Sequence, residues 1–361
     1  MKPLRILALC VALAGCATPD GSPLSPPADG ATVYPIEVVT TRVPQPDTSL
    51  LFGSDRNAVL TYARANVSIP PDHVTGQIAY PVGDADAART FAITGVRPYR
   101  SFAEMNAAMP AEPEVVLYVH GFNNTVAEAA FQLAQIRHDF GVDQPTVLFA
   151  WPSAGDVRGY LYDRDSVLFA RGDLVETLRN LTRDRRVLIV AHSMGSLLTM
   201  EALRQLALEG DRRPISRVSG LMLVSPDIDS DLFRRQAADI GRLPQPFVIF
   251  VAQEDRALTL SGFLTGRRER LGNISSVEDI GDLPVAVVDL SAFAARRGLN
   301  HQIALESPAA ISLLRSLRED QEDGVGPGAT FARLAPYLLN AQSQAGQGGL
   351  EIAGLQITGP R

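Results

Sequence analysis

Residues 187–195 read Val-Leu-Ile-Val-Ala-His-Ser-Met-Gly, and this stretch decides the fold. Val187 to Val190 form the continuous apolar run that is typical of a strand buried on both faces. Helical spacing of apolar residues begins at Ser196. The sequence therefore predicts a buried strand that leads directly into a helix, with Ser193 at the turn between them.

A serine on a sharp strand-to-helix turn is the nucleophile elbow of the α/β-hydrolases. The turn lifts the hydroxyl above the sheet edge, and small residues two positions before and after it let the helix pass close to the strand. Ala191 and Gly195 occupy those positions, and Ala191 departs from the usual glycine by one methyl group. The alternative, a serine that only caps a helix after a buried strand, is common, so the rest of the chain must supply the partners of a nucleophile.

Apolar strands alternate with amphipathic helices from residue 114 onward, which predicts a parallel sheet covered by helices on both faces. The fold class is therefore α/β, of the α/β-hydrolase type, and the short connection over 226–246 leaves no room for a large cap domain. Strand-like pieces at 36–42 and 65–69 are expected to form the outer edge of the sheet and an N-terminal extension. The expected strands are 115–119, 146–150, 187–190, 221–224, 247–251 and 285–288, and the expected helices lie near 126–139, 166–182, 196–209, 230–239 and 308–319.

The general base of such a site has to be a histidine, because only histidine titrates near neutral pH without heavy tuning. The chain has five histidines, and His301 alone follows the last predicted strand, in a loop before a helix. The order serine, acid, histidine along the chain is the order expected on this fold. We therefore predict that His301 accepts the proton of Ser193.

Two aspartates are candidates for the acid that would complete a Ser-His-Asp triad. Asp255 follows the penultimate strand, and Asp227 follows the strand before it. Topology allows either one, and Asp255 is preferred because its strand is the usual location of the acid on this fold. Asp227 remains the alternative acid.

The turn His120-Gly121-Phe122 follows the predicted strand 115–119. A turn at this place can present the backbone N–H of Phe122, which together with the backbone N–H of Met194 would form an oxyanion hole. His120 is expected to organise this turn rather than to transfer protons.

The N-terminus reads as an export signal. Lys2 and Arg5 precede a short apolar run that is too short to span a bilayer and that ends in Leu-Ala-Gly-Cys at residues 13–16. This tetrapeptide resembles a bacterial lipobox, so residues 1–15 are predicted to be a lipoprotein signal peptide and Cys16 the lipidated residue. Residues 16–33 are expected to be a flexible tether, 34–319 the hydrolase domain, and 320–361 a C-terminal tail of unassigned role.

Composition excludes several classes of function. A formal net charge of −7 over 361 residues, without long basic runs, argues against nucleic acid as a partner. The only cysteines are Cys10, in the segment to be removed, and Cys16, so thiolate catalysis and thiolate metal sites are excluded in the mature chain. No His-Glu-x-x-His spacing occurs, and neither a metal nor another cofactor is expected.

Five motifs, taken in order, resemble a bacterial family of α/β-hydrolases of unassigned function, which are esterase- or lipase-like and are often lipoproteins. The motifs are Tyr118-Val-His-Gly-Phe-Asn-Asn124, Phe149-Ala-Trp-Pro-Ser153, Ala191-His-Ser-Met-Gly195, Ser225-Pro-Asp-Ile-Asp229 and Asp255-Arg-Ala-Leu258. The resemblance covers about residues 34–315 and implies a serine-hydrolase fold with Ser193, Asp255 and His301. It supplies no substrate.

These observations predict an exported serine hydrolase that cleaves small or medium acyl esters and is held in the bacterial envelope by a lipid at Cys16. Ala17 after the cysteine favours the outer membrane. An amidase or acyltransferase would use the same three residues, and a non-catalytic envelope lipoprotein could keep the fold alone.

Overall fold

The computed structural model describes residues 24–45, 52–264, 266, 270–276, 280, 283–294, 299–322, 351–352 and 355–356. The expected signal peptide, Cys16 and the first part of the expected tether lie outside the described residues, as does most of the expected C-terminal tail. Among the helices within the described ranges, none combines the length and the apolar character needed to cross a bilayer.

A nine-stranded sheet forms the centre of the molecule, in the order β3-β2-β1-β5-β4-β6-β7-β8-β9. The seven strands β1, β5, β4, β6, β7, β8 and β9 are mutually parallel, and at one edge β2 pairs antiparallel with both β1 and β3. The strands are β1 (Thr32–Pro44), β2 (Phe52–Ile69), β3 (Ala92–Tyr99), β4 (Glu114–Val119), β5 (Thr146–Ala150), β6 (Arg186–His192), β7 (Val218–Val224), β8 (Phe247–Val251) and β9 (Ala286–Asp289). Two further two-residue strands, β10 (Glu351–Ile352) and β11 (Leu355–Gln356), pair with each other.

Helices pack on both faces of this sheet, so the predicted α/β-hydrolase architecture is confirmed. One core layer contains apolar side chains of α3, α4 and α6, and the other contains those of α2, α8 and α9. The helices are α1 (Phe102–Ala108), α2 (Val126–Asp139), α3 (Tyr160–Leu181), α4 (Met194–Leu208), α5 (Arg212–Ser216), α6 (Ser230–Ile240), α7 (Arg256–Leu264), α8 (Ile303–Glu306) and α9 (Pro308–Glu322). The connection over 226–246 holds only α6, with no cap domain.

Several element boundaries differ from those expected from the sequence. Strand β1 starts at Thr32, and the N–H of Ser25 donates to the carbonyl of Ile93 over 3.1 Å. Helix α3 starts at Tyr160, six residues earlier than expected, and α9 continues to Glu322.

The parallel strands place their carboxyl ends at one edge of the sheet, where reactive groups gather in open α/β folds. The segments that leave β4, β5, β6, β7 and β8 all meet there. A functional site is therefore expected at this edge of the sheet.

Candidate active site

Ser193 lies at the turn between β6 and α4, as the sequence predicts. Its backbone is in an unusual region, with φ of 52° and ψ of −120°, and its N–H donates to the carbonyl of Val224 over 3.0 Å. A non-glycine residue at positive φ is costly, and such strain is concentrated at functional turns that the surrounding structure holds in place.

Gly195 and Ala191, the two small residues of the elbow, have different steric surroundings. A Cβ on Gly195 would lie 2.4 Å from the carbonyl oxygens of both Val119 and His120, so α4 passes too close to the end of β4 for any side chain. Ala191 is fully buried within a core layer, where its methyl group has room. The departure from glycine at position 191 is therefore compatible with the elbow.

His301 and Asp255 are directly paired. Nδ1 of His301 lies 2.7 Å from Oδ2 of Asp255, and Asp255 has no exposed surface. Because a carboxylate only accepts hydrogen bonds, Nδ1 carries the hydrogen, and the neutral ring keeps its lone pair on Nε2, the atom that acts as a general base. The second oxygen of Asp255 accepts from the N–H of Leu258 at 2.9 Å, which fixes the carboxylate at the start of α7.

Asp227, the alternative acid, is engaged elsewhere. It forms a buried ion pair with Arg270, whose Nε lies 2.7 Å from Oδ1. It also accepts from the hydroxyls of Ser261 at 2.5 Å and Tyr160 at 3.0 Å. The N–H of Asp227 donates to the carbonyl of Ser193 over 3.2 Å, so Asp227 also stabilises the backbone of the elbow. Of the two candidate acids, the structure pairs Asp255 with His301.

His192 is a site residue that sequence analysis did not identify. Its ring packs 4.8 Å from the ring of His301, and its Nε2 lies 3.4 Å from the carbonyl oxygen of His301. Burial, followed by the nearby charge of His301, holds the pKa of His192 well below its ordinary value, so the ring stays neutral. Only tertiary packing could show this contact, because the two residues lie in segments far apart in the chain.

The turn that follows β4 passes beside the nucleophile. A Cβ on Gly121 would lie 3.0 Å from Cβ of Ser193 and 2.6 Å from Nδ1 of His192, so only glycine fits there. The next residue is Phe122, which was expected to supply one oxyanion N–H. Met194, expected to supply the other, is the first residue of α4, where amide groups have no acceptor within the helix.

His120 is built into the scaffold of this turn. Its ring stacks on Trp151 with centroids 4.9 Å apart, and Nε1–H of Trp151 donates to the carbonyl of His120 over 2.8 Å. Burial, together with the positive charge of Arg42, lowers the pKa of His120 to about 3. These contacts agree with a residue that organises the turn.

One cluster within the described residues could be considered for a metal ion. Ligand atoms of His73, His138 and Asp139 lie within 4.8 Å of one another. The carboxylate of Asp139 already accepts from Nε2 of His73 at 2.8 Å, the N–H of Gly76 at 2.8 Å and Nε2 of Gln135 at 2.9 Å. These bonds make Asp139 the anchor of the loop that follows β2, and we assign it that role.

Comparison with known families gives one match. The family described as "Alpha/beta hydrolase of unknown function (DUF900)" matches residues 101–318, more than half of the chain. No curated protein matches the chain significantly.

Solved structures similar to this chain include several esterases. A fungal esterase from Rhizomucor miehei is 11% identical with a TM-score of 0.36, covering 84% of this chain and 87% of that one. An esterase from Pyrobaculum calidifontis is 12% identical with a TM-score of 0.35, covering 81% and 86%. Esterase B from Lactobacillus rhamnosis is 14% identical with a TM-score of 0.35, covering 82% and 91%. Sequence identities of 11–14% and TM-scores of 0.35–0.36 do not indicate which reaction this chain catalyses.

Proposed function

Since this chain belongs to the α/β-hydrolase family of unknown function, we propose that it is a serine hydrolase that cleaves carboxylic esters through Ser193, His301 and Asp255. The observation that carries the proposal is the 2.7 Å contact between His301 and the buried Asp255, beside a serine held at positive φ on an elbow. A serine hydroxyl and a histidine oriented by a carboxylate are the groups that acyl transfer needs.

The reaction follows from these roles. Nε2 of His301 takes the proton of the Ser193 hydroxyl as Oγ attacks the ester carbonyl, and Asp255 stabilises the imidazolium that forms. The backbone N–H groups of Phe122 and Met194 stabilise the oxyanion, each by a factor of about 10²–10³ in kcat. The imidazolium then protonates the leaving alcohol. Water, deprotonated by His301, attacks the acyl-enzyme, and the carboxylic acid leaves as Ser193 regains its proton.

Exposed apolar side chains in the segments that carry Tyr160, Ser261 and His301 favour an acyl ester as the substrate of the proposed enzyme. Val157 and Leu161 flank Tyr160, Leu260 precedes Ser261, and Leu299 lies two residues before His301. These four side chains are 66%, 73%, 59% and 65% exposed, respectively.

We further propose that the protein is exported and anchored in the bacterial envelope, in the outer membrane, by a lipid on Cys16. The apolar run followed by Leu-Ala-Gly-Cys supports this proposal. Two or more acyl chains would give stable attachment, since each buried methylene contributes about 0.8 kcal/mol.

Labelling with a fluorophosphonate probe tests the reaction class. The purified domain should be labelled, and both Ser193→Ala and His301→Ala should lose labelling while keeping the thermal unfolding profile. Hydrolysis of p-nitrophenyl esters of increasing acyl length then tests the ester assignment. Labelling without ester turnover would redirect the search to amides and acyl transfer, and a folded domain that is not labelled would support a non-catalytic role.

A further inference from the structure

We propose that Arg42 and Asp163 are positioning residues that hold the oxyanion turn, defined as residues 121–124, in the geometry that catalysis needs. This inference rests on the proposed function. It concerns two buried charged residues, one on β1 and one in the first turn of α3.

Arg42 connects three backbone segments. It is only 2% exposed, at the end of β1. Its Nε donates to the carbonyl of Trp151 at 3.0 Å, Nη1 to that of Ser153 at 3.1 Å, and Nη2 to that of Asn124 at 2.8 Å. Nη1 also donates to the carbonyl of Gly53 at 3.2 Å. A single guanidinium thus ties the oxyanion turn to the segment that follows β5.

Asp163 also forms a hydrogen bond with the oxyanion turn. Its Oδ2 accepts from the N–H of Asn123 at 3.2 Å and from the hydroxyl of Ser153 at 2.5 Å, and its Oδ1 accepts from the N–H of Ala154 at 2.7 Å. The Ser153 hydroxyl in turn accepts from the N–H of Asn124 at 3.1 Å. Both amides that follow Phe122 are therefore fixed by one carboxylate and the hydroxyl bonded to it.

The backbone of the turn needs such support. Asn123 has a φ of 57°, in the left-handed region, which asparagine adopts more readily than most residues other than glycine but which is still less favourable than ordinary φ. Relaxation of Asn123 toward ordinary φ would rotate the peptide that joins it to Phe122. The hydrogen bonds to Asp163, Ser153 and Arg42 oppose that relaxation on both sides of Asn123.

Burial of these charges is costly unless they are well hydrogen-bonded. Burial lowers the pKa of Arg42 to about 10, although the charge of Asp163 opposes the shift, so the guanidinium remains charged at neutral pH. The free-energy cost of burying these two charges has a functional reason if they hold the backbone N–H in position before the oxyanion forms. In the proposed role, both residues act by holding the turn and not by contact with the substrate.

The experiment measures steady-state kinetics and amide hydrogen exchange on the full chain. Three variants loosen the turn to different degrees: Arg42→Lys, Asp163→Asn and the milder Ser153→Ala. We expect Arg42→Lys and Asp163→Asn to lower kcat on the order of 10²-fold, with KM changed by less than about threefold, because oxyanion contacts act mainly in the transition state. We expect Ser153→Ala to lower kcat about tenfold.

Arg56→Met is the matched control. Arg56 also joins the N-terminal strands to α3, through the hydroxyl of Ser166 at 3.0 Å and the carbonyl of Tyr162 at 2.9 Å, but these bonds do not involve the oxyanion turn. This variant should keep the wild-type kcat even if it lowers the unfolding temperature.

Hydrogen exchange of the peptide covering 119–126 separates this inference from the proposed function. Exchange in this peptide should be faster in the three variants than in the wild type and the control. Variants that unfold at lower temperature but keep both the wild-type kcat and the wild-type exchange would overturn the proposal. If the wild-type protein has no esterase activity and takes no fluorophosphonate, the proposed function fails, and unchanged exchange in the variants would then also refute the positioning role.

Discussion

Asp255 and His301 lie 46 residues apart in the chain, yet the carboxylate of one and the ring of the other are 2.7 Å apart. The contact joins the segment after β8 to the segment after β9, two neighbouring parallel strands. The N–H of Arg256 strengthens this junction by donating to the carbonyl of Leu299 over 3.0 Å. His301 is therefore held by a side-chain contact, and the loop that carries it is held by a backbone contact.

The two acids should respond differently to neutralisation. Asp255→Asn should lower kcat by about 10⁴-fold, the size expected when the histidine loses its correct tautomer, with little loss of stability. Asp227→Asn should instead lower the unfolding temperature, because Arg270 would be left buried without its partner. Steady-state kinetics and thermal unfolding of both variants check this. A larger kcat loss in Asp227→Asn would move the acid to the earlier strand.

Gly195 should tolerate no side chain. The Cβ of Gly195→Ala would approach two carbonyl oxygens at 2.4 Å, so α4 or the end of β4 must shift, and we expect a loss of about 1–3 kcal/mol in the free energy of unfolding. Activity should fall as well, because the displaced carbonyls belong to the residues that lead into the oxyanion turn. Chemical denaturation and esterase assays measure the two effects.

Gly172→Ala is the control for that substitution. Gly172 lies in α3 with open space around its Cβ position, so alanine should stabilise the protein by up to about 1 kcal/mol through helix propensity. Equal destabilisation of the two variants would contradict the steric account of the elbow.

The contribution of Asp139 to stability should depend on pH. Burial alone would raise the pKa of Asp139, but the hydrogen bonds from His73, Gly76 and Gln135 outweigh it and hold the pKa below 3.8. A depressed pKa means that stabilisation is present above pH 3.8 and is lost as the pH falls through the folded-state value.

Asp139→Asn should therefore lower the free energy of unfolding by about 1–3 kcal/mol at pH 7. Its difference from the wild type should shrink as the pH falls below 3.8. Denaturant unfolding across this pH range is the measurement, with the exposed Asp143→Asn as control. A difference that stays constant with pH would show that the carboxylate's charge plays no part.

Attachment to the membrane should depend on Cys16. Cys16→Ser removes the thiol that would carry the lipid, so the protein should move from the membrane fraction to the soluble fraction on cell fractionation. Metabolic labelling with a clickable fatty acid should mark the wild type and not the variant. Unchanged partitioning of the variant would argue against lipidation.

The local parts of the site were accessible from the sequence because each has a local physical signature. A run of apolar residues predicts a buried strand, and the small residues around Ser193 predict the elbow. The alternation of strands and helices then places residues 255 and 301 at one edge of a parallel sheet. The choice between Asp255 and Asp227 stayed a preference, because both follow strands that end at that edge.

The sequence by itself determined the strand–turn–helix at Ser193, the α/β architecture and the short set of candidate partners, since hydrophobic periodicity and turn chemistry act over a few residues. Tertiary structure alone decided which acid faces His301, that His192 packs against it, and that Arg42 and Asp163 form hydrogen bonds with Asn124 and Asn123. These contacts join residues far apart in the chain, and long-range burial and hydrogen bonding leave no periodic trace in a single sequence.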